Sequence, residues 1–136
     1  MAHEKFRVEV LTPEGEVFND EVEMVSTQTA VGSIGVLAHH SPVLAMLDPA
    51  ELRLYKTESE VISFAAAEGY MQVGNNRALL LIEEAHQKSE LNAADLRERV
   101  QQAEHELEQA GEDTERRRVA ERDKRRWEQF LRIAES

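Results

Sequence analysis

Val31–Leu47 reads V-G-S-I-G-V-L-A-H-H-S-P-V-L-A-M-L, and it decides how the rest of the chain is read. Gly32 and Gly35 mark backbone that turns sharply or is approached closely. Ile34, Val36 and Leu37 form an apolar run, followed by polar His39, His40 and Ser41. Pro42 then fixes φ and removes a donor, and Val43–Leu47 is a second apolar run. The segment therefore reads as strand, exposed rigid loop and strand.

Outward from it, short strands continue on both sides. Phe6, Val8 and Val10 alternate with Arg7 and Glu9, the period of a half-buried strand. Thr12-Pro13-Glu14-Gly15 suits a type I turn, Val17-Phe18 begins the return, and Val22–Thr29 after Asn19-Asp20 is β-branched strand. Beyond Asp48-Pro49, Leu52 and Leu54 share one face of a strand, Lys56–Glu60 is a polar turn and Val61–Ala65 is strand again. Gly69 predicts a tight bend before Tyr70–Val73, and Gly74-Asn75-Asn76 a hairpin turn. Ala78–Ile82 is apolar on both faces, which predicts a strand buried between layers. Eight to ten such strands, with turns about every ten residues, predict a β-sandwich or flattened barrel.

After Lys88 the period changes, so the expected domains are 1–88 and 89–136. Asn92 can N-cap a helix with Asp95 at its third position. Leu96, Val100, Ala103, Leu107 and Ala110 form one thin apolar stripe, which Gly111 ends. Asp113 or Thr114 can cap a second helix, with Val119, Trp127, Phe130, Leu131 and Ala134 turned to a partner. The fold class is therefore β + α: an N-terminal β-sandwich of about ten strands, then a C-terminal antiparallel two-helix hairpin. Its thin stripe predicts marginal docking.

The 136 residues carry a net charge of −11 and no cysteine, which excludes disulfides and thiolate metal sites. No apolar run approaches the ~18–20 residues of a membrane span, and the N-terminus lacks the apolar core of a signal peptide. Residues 1–111 hold 8 Lys and Arg against 20 Asp and Glu, while residues 114–132 hold 8 against 4. An acidic body argues against general nucleic-acid binding, where phosphate contacts supply most of the affinity. The basic stretch needs its own explanation. Arg116, Arg117, Arg118, Arg122, Lys124, Arg125 and Arg126 exceed their acidic neighbours even after i,i+4 pairs such as Glu121–Arg125 and Glu128–Arg132. Such an excess of guanidinium suits a carboxylate-rich partner.

Catalytic and metal signatures are lacking. His39 and His40 are adjacent on extended chain and point opposite ways, without a carboxylate or thiolate partner. His105-Glu106 begins like H-E-x-x-H, but position 109 is Gln109. Gly32-Ser33-Ile34-Gly35 has the G-x-x-G spacing of a KH clamp without its basic setting. No phosphate loop or nucleophile elbow is present, so the chain reads as non-catalytic, with no metal and no cofactor.

Gly32-x-x-Gly35-Val36-Leu37-x-x-His40-x-Pro42 closely resembles the G-x-x-G-(I/V)-L-x-x-H-x-P segment of the epsilon subunits of F-type ATP synthases. Phe64–Val73, F-A-A-A-E-G-Y-M-Q-V, is similar to that family's F-x-x-x-G-G-(F/Y)-x-x-V hairpin, and the helical tail fits as well. The resemblance implies a rotor component of the central stalk. Its sandwich would sit on the gamma subunit, and Gly32, Ser33, Gly35, His40 and Pro42 would form the gamma and ring contact loop, against the membrane-embedded c subunits. Ser33 stands where many relatives carry an acidic residue. The basic helix would engage the catalytic alpha and beta subunits and restrain ATP hydrolysis. Some relatives bind ATP through (I/L)-D-x-x-R-A; here Asn92 replaces the aspartate and Asp95 the arginine, which reverses the charge facing the phosphates. Regulatory ATP binding is therefore expected to be weak or absent. The expected location is peripheral, on the cytoplasmic face of a bacterial plasma membrane, without membrane insertion. The alternative is a β-domain adaptor whose basic helix binds nucleic acid or an anionic surface.

Overall fold

The computed structural model describes residues 3–136. It divides into two compact units, Met1–Gln87 and Lys88–Ser136.

The first unit is one ten-stranded sheet that folds over on itself around a single core. Its strands are β1 (Phe6–Thr12), β2 (Gly15–Val22), β3 (Met24–Thr29), β4 (Gly32–Leu37), β5 (Val43–Leu47), β6 (Ala50–Tyr55), β7 (Val61–Ala66), β8 (Gly69–Gly74), β9 (Arg77–Ile82) and β10 (Ala85–His86). The order is β10-β7-β6-β3-β5-β8-β9-β1-β2, with β4 on the free edge of β3. All pairs are antiparallel except β1 with β9. The period-2 residues form the core as expected: Phe6, Val8 and Val10 meet Leu52, Leu54, Met71 and Leu80, all fully or nearly fully buried. Burying each such side chain contributes about 1.5–3 kcal/mol.

Three local expectations are corrected. Asn19 and Asp20 lie inside β2, and the chain breaks instead at Glu23, whose N–H donates to the Tyr55 carbonyl. Lys56 holds Asp20 at 3.0 Å, which lets an acidic residue sit in a strand. The bend falls at Glu68, one residue before Gly69, which itself opens β8. Gly69 pairs with Ile82, and a Cβ there would lie 2.0 Å from the Leu81 carbonyl oxygen, so the absent side chain is what lets β8 meet β9. Finally, β9 is not sandwiched between layers, for Ala78, Leu80 and Ile82 face the core while Leu81 is 48% exposed. The Asn75-Asn76 turn forms as expected, both residues having positive φ (51° and 57°) as a tight hairpin requires.

The second unit is a helical hairpin, α1 (Ala93–Ala110) and α2 (Thr114–Glu135), preceded by a single 3-10 turn at Lys88–Glu90. The Asn92 side chain accepts from the Asp95 N–H at 3.1 Å, and Asp113 accepts from the Arg116 N–H at 3.1 Å. Both helices therefore start at side-chain caps. Gly111, with φ of 56°, ends α1. The α1 stripe buries Leu96, Ala103 and Ala110, with Val100 and Leu107 half-buried. On α2 the buried residues are Ala120, Phe130 and Ile133; Phe130 is the one member of the expected line that is fully buried, while Val119, Trp127, Leu131 and Ala134 are half-buried, so the seam is rotated slightly from that line.

Candidate functional site

Among the described residues no group of three or more His, Asp or Glu side chains is placed to hold a metal. Two expectations for the histidines are corrected: His39 lies on a turn rather than extended chain, and its ring does meet a carboxylate, that of Glu4. His39, with φ of 64°, donates its N–H to Asn76 Oδ1 at 2.8 Å, and its Nε2 lies 2.9 Å from Glu4. His40 Nδ1 lies 2.6 Å from the Ser41 carbonyl.

The five residues of the expected contact loop are not one loop. Gly32 and Ser33 open β4 beside the Ala30-Val31 turn, Gly35 is mid-strand, and His40 and Pro42 follow its far end. Five strand steps of ~3.4 Å put the two groups roughly 17 Å apart. At the turn, Gly32 has φ of 137°, a conformation that L side chains rarely adopt. Thr29 Oγ1 donates to the Gly32 carbonyl at 2.8 Å, and Gln28 Nε2 to Ser33 Oγ at 2.8 Å. Val31 at this tip is 98% exposed.

Beside that tip lies a surface that the linear pattern did not show. Register pairs Met46 with Tyr70, Tyr70 with Leu81, and Leu81 with Leu11. These four form one apolar row across the outer faces of β5, β8, β9 and β1. Leu44 is 73% exposed, Met46 60% and Tyr70 53%. Exposed Leu or Met alone is unremarkable, but a continuous row across four strands marks an interaction face. The Ala30 N–H donates to the Met46 carbonyl at 3.0 Å, so the row adjoins the Val31 tip.

In the hairpin, the basic residues of α2 are partly held by neighbours. Arg118 bonds Glu115 at 2.6 Å, which holds that carboxyl below its usual range, and Arg122 bonds Asp123 at 3.0 Å. Arg117 donates to the Gly111 carbonyl at 3.2 Å and lies 3.8 Å from Glu121, so Glu121 reaches back rather than forward along the helix. Arg116 lies 3.9 Å from Glu106 on α1. Trp127 is flanked by the guanidinium groups of Arg99 (4.7 Å) and Arg126 (5.4 Å). A cleft of about 810 Å³ between the helices is lined by Asp95, Glu98, Glu106, Glu115 and Asp123 but only two cations, Arg99 and Arg116.

Residues 5–88 match the family described as ATP synthase, Delta/Epsilon chain, beta-sandwich domain. Among curated relatives, the ATP synthase epsilon chain of Rubrobacter xylanophilus is 35% identical over 130 residues, covering 92% of this chain and 88% of its own. The chloroplastic epsilon chain of Adiantum capillus-veneris is 34% identical over 101 residues, 74% of this chain and 76% of its own. The chain belongs to the ATP synthase epsilon-chain family. As an epsilon chain it is a non-catalytic subunit of an F-type ATP synthase. Its fold is similar to a chain in the Euglena gracilis mitochondrial ATP synthase OSCP/F1/c-ring structure, with a TM-score of 0.79 at 18% identity over 97% of this chain and 82% of that one. A chain of the Tetrahymena thermophila mitochondrial ATP synthase central stalk/c-ring structure gives 0.66 at 16% identity, over 98% of this chain and 99% of that one. The nucleic-acid adaptor alternative finds no support in these likenesses. Among the described residues, no helix of this epsilon-family chain is long and apolar enough to cross a membrane.

Proposed function

We propose that this epsilon subunit is the rotor foot of its synthase, with its sandwich clamped to the gamma subunit and its β3–β4 tip on the ring of c subunits. The observation that carries this reading is the Leu11–Leu81–Tyr70–Met46 row, with Leu81, Tyr70 and Met46 exposed and Leu11 half-buried, which needs a partner of matching shape. The adjoining Val31–Gly32–Ser33 tip is the part left free to touch a second body. With the contact residues split between the ends of β4, Gly32 and Ser33 are assigned to the ring and His40 and Pro42 to the rigid far loop. Coupling is mechanical: a shared core transmits torque between two contact surfaces, without chemistry. The location that follows is peripheral, on the cytoplasmic face of a bacterial plasma membrane.

The hairpin is the switch. Its helices stay paired while ATP is made, and α2 extends to the catalytic alpha and beta subunits when hydrolysis is restrained. Arg116, Arg117, Arg118, Arg122, Lys124, Arg125 and Arg126 then exchange their local acids for those of the partner, so the balance responds to salt. Nucleotide has no part in it. Asn92 spends its side chain capping α1, Asp95 stands where an arginine would be needed, and the cleft lining is mostly carboxylate.

The test is add-back to a synthase core depleted of this subunit, using the full chain and a form ending at Lys88. Both should bind, and only the full chain should inhibit ATP hydrolysis. Binding without inhibition by either leaves the foot and removes the switch; failure of both to bind removes the foot.

A further inference from the structure

Arg7 on β1 and Arg77 on β9 are direct neighbours in the parallel pairing. Both are exposed, on the same outer face as the apolar row, since Arg7, Glu9 and Leu11 alternate outward along β1, as Arg77, Leu79 and Leu81 do along β9. They line a hollow of about 230 Å³ with Glu9, Gln72 and Asn75. Like charges set side by side on adjacent strands are destabilising. The surroundings make this placement costlier to explain as chance, because residues 1–87 hold only five Lys and Arg against fourteen Asp and Glu.

Two of the other three cations of this unit are used, and the third, Lys5, is exposed just before β1. Arg53 is held by Glu51 and Lys56 by Asp20. Arg7 and Arg77 have no ion-pair partner among the described residues. Glu21 faces Arg7 across the β1–β2 ladder, and Glu9 shares the hollow, yet neither closes on a guanidinium. Asp20, near enough for Arg7 to help lower its pKa, is taken by Lys56.

We propose that Arg7 and Arg77 form a carboxylate clamp that receives an acidic side chain of the gamma subunit when the apolar row docks. The inference rests on the reading of that row as the shaft contact and adds the chemistry of its partner. Two guanidinium forks side by side present parallel donors to one carboxylate. Continuity argues for the same occupant as the row: Leu81 and Arg77 lie two outward positions apart on one strand, as do Leu11 and Arg7 on the next. The partner surface therefore pairs an apolar patch with an acid roughly 14 Å away along the strand direction. The clamp fixes the orientation of the foot on the shaft, because a row of apolar contacts alone leaves rotation in the interface plane weakly specified.

The test uses the full chain and the purified gamma subunit of its own synthase, with affinity measured at about 50 and about 500 mM salt. Arg7→Gln and Arg77→Gln should each weaken binding roughly three- to tenfold at low salt, with most of the deficit gone at high salt. The melting temperature of each free variant should equal or exceed that of the parent, since a like-charge contact has been removed. Unchanged affinity at low salt overturns the clamp, as does a deficit that high salt leaves intact. A Met46→Gln variant separates the two readings. If it loses affinity while the arginine variants do not, the shaft contact stands and the clamp falls; if the unmodified chain fails to bind, the shaft contact itself falls.

Discussion

Replacing Gly69 by alanine should cripple the sandwich, although the change adds only one methyl group. The added Cβ would lie 2.0 Å from the Leu81 carbonyl oxygen, 2.8 Å from the Ile82 Cα and 2.9 Å from the Leu81 carbonyl carbon. Each obstacle is backbone, so no side-chain rotation relieves the clash. Reaching the 3.4 Å at which ordinary contact begins means parting β8 from β9 by about 1.4 Å, enough to take a 2.9 Å hydrogen bond past its useful range. Overpacking of this kind costs about 1–3 kcal/mol, and each ladder group left buried and unmet adds about 1–3 kcal/mol. A loss of about 3–5 kcal/mol is a large part of the 5–15 kcal/mol typical of a domain.

For a unit of this size each kcal/mol moves the melting temperature by about 4–8 °C, so Gly69→Ala should melt at least about 12 °C lower in differential scanning calorimetry. The control is Gly74 at the other end of the same strand, where a Cβ meets nothing within 4 Å and φ is not positive. Gly74→Ala should hold or raise the melting temperature, through lower unfolded-chain entropy worth about 0.4–1 kcal/mol. A Gly69→Ala protein melting within about 5 °C of the parent would refute the close approach of these strands.

Other perturbations separate the two units. Phe130 is fully buried in the hairpin and edge-on to Trp127 at 5.8 Å. Phe130→Ala should cost about 3–5 kcal/mol there, stripping hydrogen-exchange protection from α1 and α2 while β1–β9 keep theirs. Asn92→Ala removes the α1 cap and should cost about 1 kcal/mol, read as lower helical ellipticity and early fraying of the first turn by hydrogen exchange. Lys56 donates to Asp20 and, with the Glu21 N–H, holds its carboxyl below the usual range. That stabilisation is complete above the ordinary carboxylate pKa and is lost as pH falls through the depressed one. The melting temperature of Asp20→Asn should therefore vary less between about pH 5 and pH 2 than that of the parent. An identical pH profile would show that the pair contributes nothing.

The hairpin was legible because its signals are local: a 3.6-residue stripe, two side-chain caps and a terminating glycine lie within one stretch of chain. The strands were legible from the two-residue period. What sequence could not separate was cause from cause. Ala78–Ile82 looks the same whether its outer leucines face a second layer or a partner, and only the structure shows Leu81 in the open. Gly69 looks the same whether the absent side chain permits a bend or a close approach. Gly32 to Pro42 is only eleven residues and reads as one loop, yet Gly32–Leu37 is a strand that sets the two ends apart by its length. Neither the apolar row nor the Arg7–Arg77 pair can be read from the sequence. Each is assembled by register between strands as much as 70 residues apart, and β1 with β9 is the one parallel pair.

The distribution of bulk along the hairpin decides how it can open. Near the Gly111 turn the buried seam consists of Ala103, Ala110 and Ala120. Alanines allow close approach of the helices but contribute little apolar area to hold them. At the other end Leu96, Phe130 and Ile133 are buried, and the half-buried Trp127 lies edge-on to Phe130. That end is also tied by charge, since Arg97 bonds Glu135 at 2.6 Å and Lys88 Nζ donates to the Ser136 carbonyl at 2.6 Å. Separation therefore costs least at the turn, where exposed ion pairs such as Arg116–Glu106 supply what the alanines do not, and such pairs are worth at most about 1 kcal/mol in water. Arg116, Arg117 and Arg118 lie at this weak end and Phe130 at the strong one. An acidic surface competing for those arginines would thus act where resistance is least, and the aromatic end would set how far the separation runs.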